Sequence, residues 1–100
     1  MSDIKIKYTG DLRTIATHVS SGSTIITDAP LDNNGKGEKF SPTDLFATAL
    51  GSCMLTIMAI TAQTHGISID DAEVAVKKIM GANPRRVSCI KIIINFYNAY

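Results

Sequence analysis

The chain has 100 residues, of which 45% are apolar and 19% are charged, as expected for one globular domain spanning residues 1–100. Its 10 Lys and Arg residues balance 9 Asp and Glu residues, so the charge of +1 provides no basic stripe for the phosphates of nucleic acid. The 2 cysteines and 2 histidines are too few and too widely spaced for a disulfide framework or a zinc site. Composition therefore argues against nucleic acid as a partner and against a metal, and we expect no cofactor.

The first third of the chain predicts an antiparallel β-meander. Ile4, Ile6 and Tyr8 alternate with Lys5 and Lys7, which is typical of a strand with one wet face. Residues 14–19 repeat the alternation, and a third short strand is expected at 24–27. The connections between these segments are too short for crossover helices, so we expect neighbouring strands to pair antiparallel.

A loop of turn-forming residues at 28–40 precedes the clearest local signal in the sequence. Ser41 can cap a helix and Pro42 fits its first turn. The Asp44 side chain can accept a hydrogen bond from the Ser41 amide, as in a capping box. We expect this helix to run to about His65, where Gly66 supplies the left-handed residue that ends it.

The predicted helix has almost no solvent-facing side, so we expect a long buried central helix. It begins with the Ser41 cap and the acidic Asp44 rather than with the flanking residues typical of a transmembrane helix, which argues against a membrane span. Gly51 in its middle costs about 1 kcal/mol relative to Ala unless something packs closely there. One chain of this length has no second long helix, so a second copy of the same helix is the economical partner, and a homodimer is predicted.

The remainder predicts a β-hairpin, with strands at 72–80 and 87–97 around a turn that contains Pro84. The predicted fold class is therefore α+β: an antiparallel meander, a central helix and a hairpin. The N-terminus carries no apolar export signal, so the expected location is the cytoplasm, where thiols stay reduced.

Cys53 is the residue with most chemical interest. It lies in the third turn of the predicted helix, beyond the reach of the field at the helix N-terminus, so a cation from elsewhere would have to favour its thiolate. Arg13, Arg85 and Arg86 are the candidates. The alternative is structural: a lone cysteine on an apolar helix is commonly a small, buried core residue.

The segment FSPTDLFATALGSCMLT at 40–56 resembles the central-helix signature of the OsmC/Ohr family, the osmotically inducible protein C and organic hydroperoxide resistance proteins. The resemblance is greatest to the OsmC-like subgroup. It extends over nearly the whole chain, because four further segments match that subgroup in the same order: YTGDLR at 8–13, DAP at 28–30, DNNGKG at 32–37 and GANPRR at 81–86. It also implies that the family's C-terminal part lies beyond Tyr100.

This resemblance implies an interlocked homodimer around paired central helices and a thiol-dependent peroxidase. The Cys53 thiolate would attack an organic hydroperoxide and become a sulfenic acid, in a role in oxidative stress defence. Arg13 would supply the cation, and a dithiol reductant would restore the thiol. The substrate-binding residues are predicted to be Phe46, Leu50 and Met54.

The chain also departs from the family pattern. Thr43 stands where the hydroperoxide-resistance branch has the glutamate that holds its arginine, and Asp28 is a candidate for orienting an arginine instead. Cys89 lies in a predicted strand and does not match the family's second cysteine. The alternative functions are therefore a catalytically impaired dimerisation or small-molecule binding protein, and a redox sensor that uses Cys53 with Cys89.

Overall fold

A computed structural model describes residues 3–97 and contains the predicted elements in the predicted order. They are β1 (Ile4–Gly10), β2 (Arg13–His18), β3 (Thr24–Asp28), a 3₁₀ turn at Leu31–Asn33, α1 (Pro42–Thr64), β4 (Glu73–Gly81) and β5 (Arg86–Asn95). The α+β class is confirmed. The chain divides into two compact units, residues 1–45 and 46–100.

The first unit is the antiparallel meander, with strand order β1-β2-β3. Asp11 and Leu12 both have positive φ, 55° and 60°, as a two-residue turn matched to the twist of a β-hairpin requires. The turn after β2, where Gly22 has φ 77° and its amide donates to the carbonyl of His18, sets the register in which Arg13 on β2 lies directly opposite Asp28 on β3. Since residues paired across a sheet share a face, the register places these two opposite charges side by side.

The apolar face of the meander is not covered within the described residues. Ile4, Ile6 and Tyr8 are exposed, as is Ile25 on β3. The predicted alternation on β1 is present, yet both faces of that strand are open to solvent. A three-stranded sheet has a face to bury and needs a second layer to bury it.

Helix α1 begins and ends as its sequence predicts. The Asp44 amide donates to the Ser41 hydroxyl at 3.0 Å and the Asp44 carboxylate accepts the Ser41 amide at 3.0 Å, which completes the capping box. At the other end, Gly66 has φ 68° and the amide of Ile67 donates to the carbonyl of Ala62. This is the hydrogen bond of a Schellman C-cap.

Helix α1 contacts the β4–β5 hairpin through Gly51. A Cβ atom at this position would lie 2.9 Å from Cγ2 of Val76 and 3.1 Å from Cγ1 of Val74. The prediction that Gly51 admits a close neighbour is confirmed, but the neighbour is β4 of the same chain. A second copy of the helix is therefore not needed to explain this glycine.

The prediction of a buried helix is wrong for the chain on its own. In α1 only Ala47 and Gly51 are buried, and Ala47 is the single buried apolar side chain among residues 3–97. The helix has a second face, which we call the α1 stripe: Phe46, Leu50, Cys53, Ile57 and Ile60, all exposed. The physical reason is that one two-stranded hairpin covers one side of a helix that is apolar all round.

By length and composition alone, α1 could also cross a membrane, although core helices of soluble proteins meet the same criteria.

Alternating spacings of four and three residues place the α1 stripe along one side of the helix. Such a seam is typical of a helix that packs against another helix.

The contact at Gly51 predicts an unusual response to a helix-favouring substitution. Gly51→Ala should lower the free energy of unfolding by about 1 kcal/mol, because the methyl group overpacks against two stiff valines and this outweighs the gain in helix propensity. Adding Val76→Ala should remove the clash, so that the double variant loses less than the sum of the single variants. Urea denaturation measures both. Ser52→Ala, on the exposed side, is the matched control; a stabilised Gly51→Ala variant would contradict the close packing.

Candidate functional site

Cys53 is exposed on the side of α1 that faces away from the hairpin. It follows Gly51 by two residues, which at 3.6 residues per turn places the two side chains about 160° apart around the helix. Because Gly51 faces β4, Cys53 must face the opposite way, in the middle of the α1 stripe. The alternative of a buried core cysteine is therefore wrong for this chain.

Two of the three predicted substrate residues share the face of Cys53. Phe46 is 61% exposed and Leu50 is 43% exposed, and both belong to the α1 stripe. Met54 is half-buried at the border between the stripe and the hairpin side. The thiol is thus flanked by accessible apolar side chains on its own helix.

Arg13 forms the strongest polar cluster of the first unit. Its Nε donates to Oδ1 of Asp28 at 3.2 Å and its Nη2 donates to Oδ2 of the same carboxylate at 3.3 Å. The geometry is the two-point pairing that guanidinium and carboxylate groups favour. Nη2 also donates to Oε1 of Glu38, so one guanidinium is held by two carboxylates.

Asp28 connects this cluster to the loop that follows β3. Its side chain is fully buried, and Oδ2 accepts the backbone amide of Glu38 at 3.0 Å. Its own amide donates to the carbonyl of Phe40, so both ends of the loop are joined at this residue. At Gly35 a Cβ atom would lie 1.8 Å from the carbonyl oxygen of Ala29, so glycine is required there. The loop therefore has one well-defined path.

The pairing shifts the pKa of each group in the direction that favours its charged form. The hydrogen bond from Arg13, helped by the amide of Glu38, lowers the pKa of Asp28 below its ordinary value of 3.8. The hydrogen bond to Asp28 raises the pKa of Arg13 above its ordinary value. The cluster therefore holds a permanent cation beside a carboxylate that stays ionised.

The other arginines proposed for the thiol have different surroundings. Nη1 of Arg86 donates to the carbonyls of Ala82 at 2.7 Å and Pro84 at 2.9 Å, so this side chain folds back over its own turn. Arg85 is exposed in the same turn. Arg13 is held in position by two carboxylates, Asp28 and Glu38.

Cys89 lies on the wrong face of the hairpin to meet Cys53. It pairs with Ile79, whose side alternates with that of Val74 and Val76, the two residues that contact the helix. Cys53 is on the far side of α1 and Cys89 is on the far side of the hairpin, separated by a helix about 10 Å across. A disulfide requires Cα atoms within about 7 Å, so Cys89 cannot resolve a sulfenic acid at Cys53 of the same chain.

Glu38 is the residue that the sequence analysis missed. It pairs with Arg13 although the motif position for a glutamate holds Thr43, whose hydroxyl lies 3.1 Å from that of Ser41 at the helix start. The only sequence feature that could have indicated this role is an acidic residue next to glycine in a long loop. Asp28, in contrast, orients an arginine as the sequence analysis suggested.

Within residues 3–97, no three His, Cys, Asp or Glu side chains cluster closely enough to hold a metal ion.

Comparison with known proteins places these features in a family. Residues 35–98 match the family model described as OsmC-like protein. The chain is also similar to a crystal structure from Psychrobacter arcticus 273-4, described as an osmotic stress induced and detoxification response protein. The sequences are 56% identical, the TM-score is 0.93, and the match covers 96% of this chain and 70% of that one. A search of curated proteins gave no match.

The Arg13–Asp28 pair predicts a specific dependence of stability on pH. A carboxylate whose pKa is lowered by folding stabilises the protein fully above its unfolded pKa, and this contribution is lost as the pH falls through the folded pKa. Asp28→Asn should therefore be less stable than the wild type at pH 7, and the difference should shrink below about pH 4.

Urea denaturation at several pH values measures this difference. Asp70→Asn, at an exposed residue of the other unit, controls for the general effect of removing one negative charge. A constant difference between wild type and Asp28→Asn from neutral to strongly acidic pH would contradict the assignment.

Proposed function

Because the chain belongs to the family of OsmC-like proteins, we propose that it is a thiol-dependent peroxidase that reduces organic hydroperoxides through Cys53. Family membership connects the chain with stress response and detoxification. The observation that carries the finer proposal is the exposed Cys53 thiol amid accessible apolar side chains on a helix with the family's signature. We also propose a cytoplasmic location, where the thiol would stay reduced.

The proposed reaction begins with the thiolate of Cys53. Its sulfur attacks the terminal oxygen of the hydroperoxide, the S–O bond forms and the O–O bond breaks. The leaving alkoxide takes up a proton, so the net change converts thiol and hydroperoxide into sulfenic acid and alcohol. Sulfur loses two electrons and the peroxide gains them.

Arg13 is proposed to supply the cation that this step needs. An arginine keeps its charge at every relevant pH and cannot act as a base, so it can stabilise both thiolate and departing alkoxide without taking a proton. The Asp28 carboxylate fixes the guanidinium at two points, which means that little reorganisation is required at the moment of reaction.

The apolar neighbours of Cys53 favour organic substrates over hydrogen peroxide. Phe46 and Leu50 present exposed surface beside the thiol, and Met54 borders it. An alkyl or aryl group can bury area against such side chains, whereas hydrogen peroxide has none to bury. We propose that these three residues bind the organic part of the substrate.

A dithiol reductant is proposed to complete the cycle. Cys89 faces away from α1, so among residues 3–97 it cannot condense with a sulfenic acid at Cys53. One thiol of the reductant would attack the Cys53 sulfur and expel water. Its second thiol would then release Cys53, leaving the reductant as a disulfide.

A second copy of the chain is the proposed partner of the α1 stripe, since proteins of this family are generally dimers. Ile57 and Ile60, on the C-terminal side of Cys53, are 59% and 58% exposed, and covering them contributes roughly 1 kcal/mol per side chain. The seam-like spacing of the stripe suits packing of helix against helix. Cys53 would then lie at the boundary between two subunits.

Sulfenic acid trapping tests the proposed activity. Reduced protein treated with one equivalent of cumene hydroperoxide in the presence of dimedone should gain one dimedone adduct, and peptide mapping should place it on Cys53. Cys89→Ser is the matched control and should keep the adduct, whereas Cys53→Ser should lose it. An unmodified Cys53 in folded, reduced protein would contradict the proposal.

The second candidate function is a binding or dimerisation module without turnover, favoured by the position of Cys89. Repeated consumption of hydroperoxide with dihydrolipoamide as the dithiol separates the two. More than one alcohol released per chain supports the enzyme. A single turnover followed by arrest supports the module.

A further inference from the structure

The loop that follows β3 contains Asn34 followed by Gly35, a dipeptide that can react with itself. The backbone nitrogen of a glycine can attack the side-chain amide of the asparagine before it, because no Cβ atom of the glycine hinders the approach. Asparagines of this kind are among the chemically labile residues of proteins. Asn33 is followed by a residue with a side chain, so it provides an internal comparison.

The folded loop holds Asn34 in a conformation that does not allow this attack. Asn34 has φ 67° and ψ 11°, the left-handed conformation that ends the 3₁₀ turn at Leu31–Asn33. Near ψ 0° the next backbone nitrogen lies on the side of the residue's own nitrogen, away from its Cβ atom. The amide of Gly35 also donates to the carbonyl of Pro30 at 2.9 Å, and this hydrogen bond must break before the nitrogen can react.

Two further amides hold the loop against the end of β3. The amide of Gly37 donates to the carbonyl of Ala29 at 3.1 Å, and the amide of Glu38 donates to Oδ2 of Asp28 at 3.0 Å. Gly35 packs so closely against Ala29 that a Cβ atom would lie 1.8 Å from the carbonyl oxygen. The reactive conformation at position 34 therefore requires the loop to detach from β3 first.

We propose that Asn34 is a deamidation site, that opening of this loop controls the reaction, and that the product holds the loop open. In the first step the Gly35 nitrogen bonds to Cγ of Asn34. The proton of Gly35 leaves with the side-chain nitrogen as ammonia, and a cyclic imide remains. Water then opens the ring at either carbonyl to give aspartate or isoaspartate, and no electrons are transferred. The proposal does not rest on the peroxidase function.

Isoaspartate at position 34 keeps the loop from closing because it lengthens the backbone by one carbon. Gly35 has no space to move toward Ala29, so the extra atom displaces its amide from the carbonyl of Pro30. The residues that follow are displaced with it, and the Glu38 amide is drawn away from Asp28. Aspartate at position 34 has no such effect, since it keeps the normal backbone and tolerates the left-handed conformation.

Peptide mass spectrometry at mildly alkaline pH measures the control by loop opening. The reaction at Asn34 should be at least about tenfold slower in folded protein than in urea, since it follows the small population with an open loop. Gly37→Ala should raise the rate in folded protein several-fold. The reason is that φ 62° is strained for alanine and the new Cβ would lie 2.9 Å from Cγ of Leu31.

Gly22→Ala is the matched control, because it places an alanine at φ 77° in the β2–β3 turn, where nothing lies within 4 Å of the new Cβ. Its rate at Asn34 should equal that of wild type, and circular dichroism verifies that both variants are folded. Equal rates in folded and unfolded protein, or in Gly37→Ala and wild type, would overturn the proposal. An equal acceleration by Gly22→Ala would also overturn it, since unfolding of the whole unit would then control the reaction.

Hydrogen exchange tests whether the product holds the loop open. The isoaspartate form is separated by chromatography, and the amide of Glu38 is followed by NMR. This amide should exchange at least about tenfold faster than in unmodified protein, because its bond to Asp28 is lost. Asn34→Asp has the same charge on a normal backbone and should keep the amide protected. A protected Glu38 amide in the isoaspartate form would overturn this part of the proposal.

Discussion

The close contact between Gly51 and strand β4 determines how the rest of the second unit is arranged. Only glycine fits against Val74 and Val76, so the long helix can place just one of its sides on the hairpin. The geometry of an α-helix then directs Cys53 to the opposite side. The exposure of the thiol, its apolar neighbours and its separation from Cys89 all follow from this orientation.

A second constraint governs the first unit, and it is electrostatic. The turn between β2 and β3, which contains Gly22 at φ 77°, sets a register in which Arg13 faces Asp28 across the sheet. The buried carboxylate is satisfied by this arginine and by the amide of Glu38, so the sheet and the following loop share one polar centre. A buried Asp28 carboxylate without Arg13 would be strongly destabilising, so this fold depends on the cation.

Much of this architecture could be predicted from sequence because local rules decide it. Alternation predicted the strands, and the pair of Ser41 and Asp44 predicted the helix start. Glu38 could not be found, since its contact with Arg13 depends on the path of a loop that joins residues far apart in sequence. Periodicity shows which side chains are apolar but not which molecule covers them. For that reason the partner of Gly51 was assigned wrongly, and α1 is largely exposed in the single chain.

We propose that the part of the α1 stripe on the C-terminal side of Cys53 is a face shared by two copies of the chain. Sedimentation equilibrium of the reduced protein at micromolar concentration measures whether two chains associate. We expect a species of twice the 10.7 kDa chain mass. A single-chain mass at that concentration, with α1 still helical by circular dichroism, would contradict it.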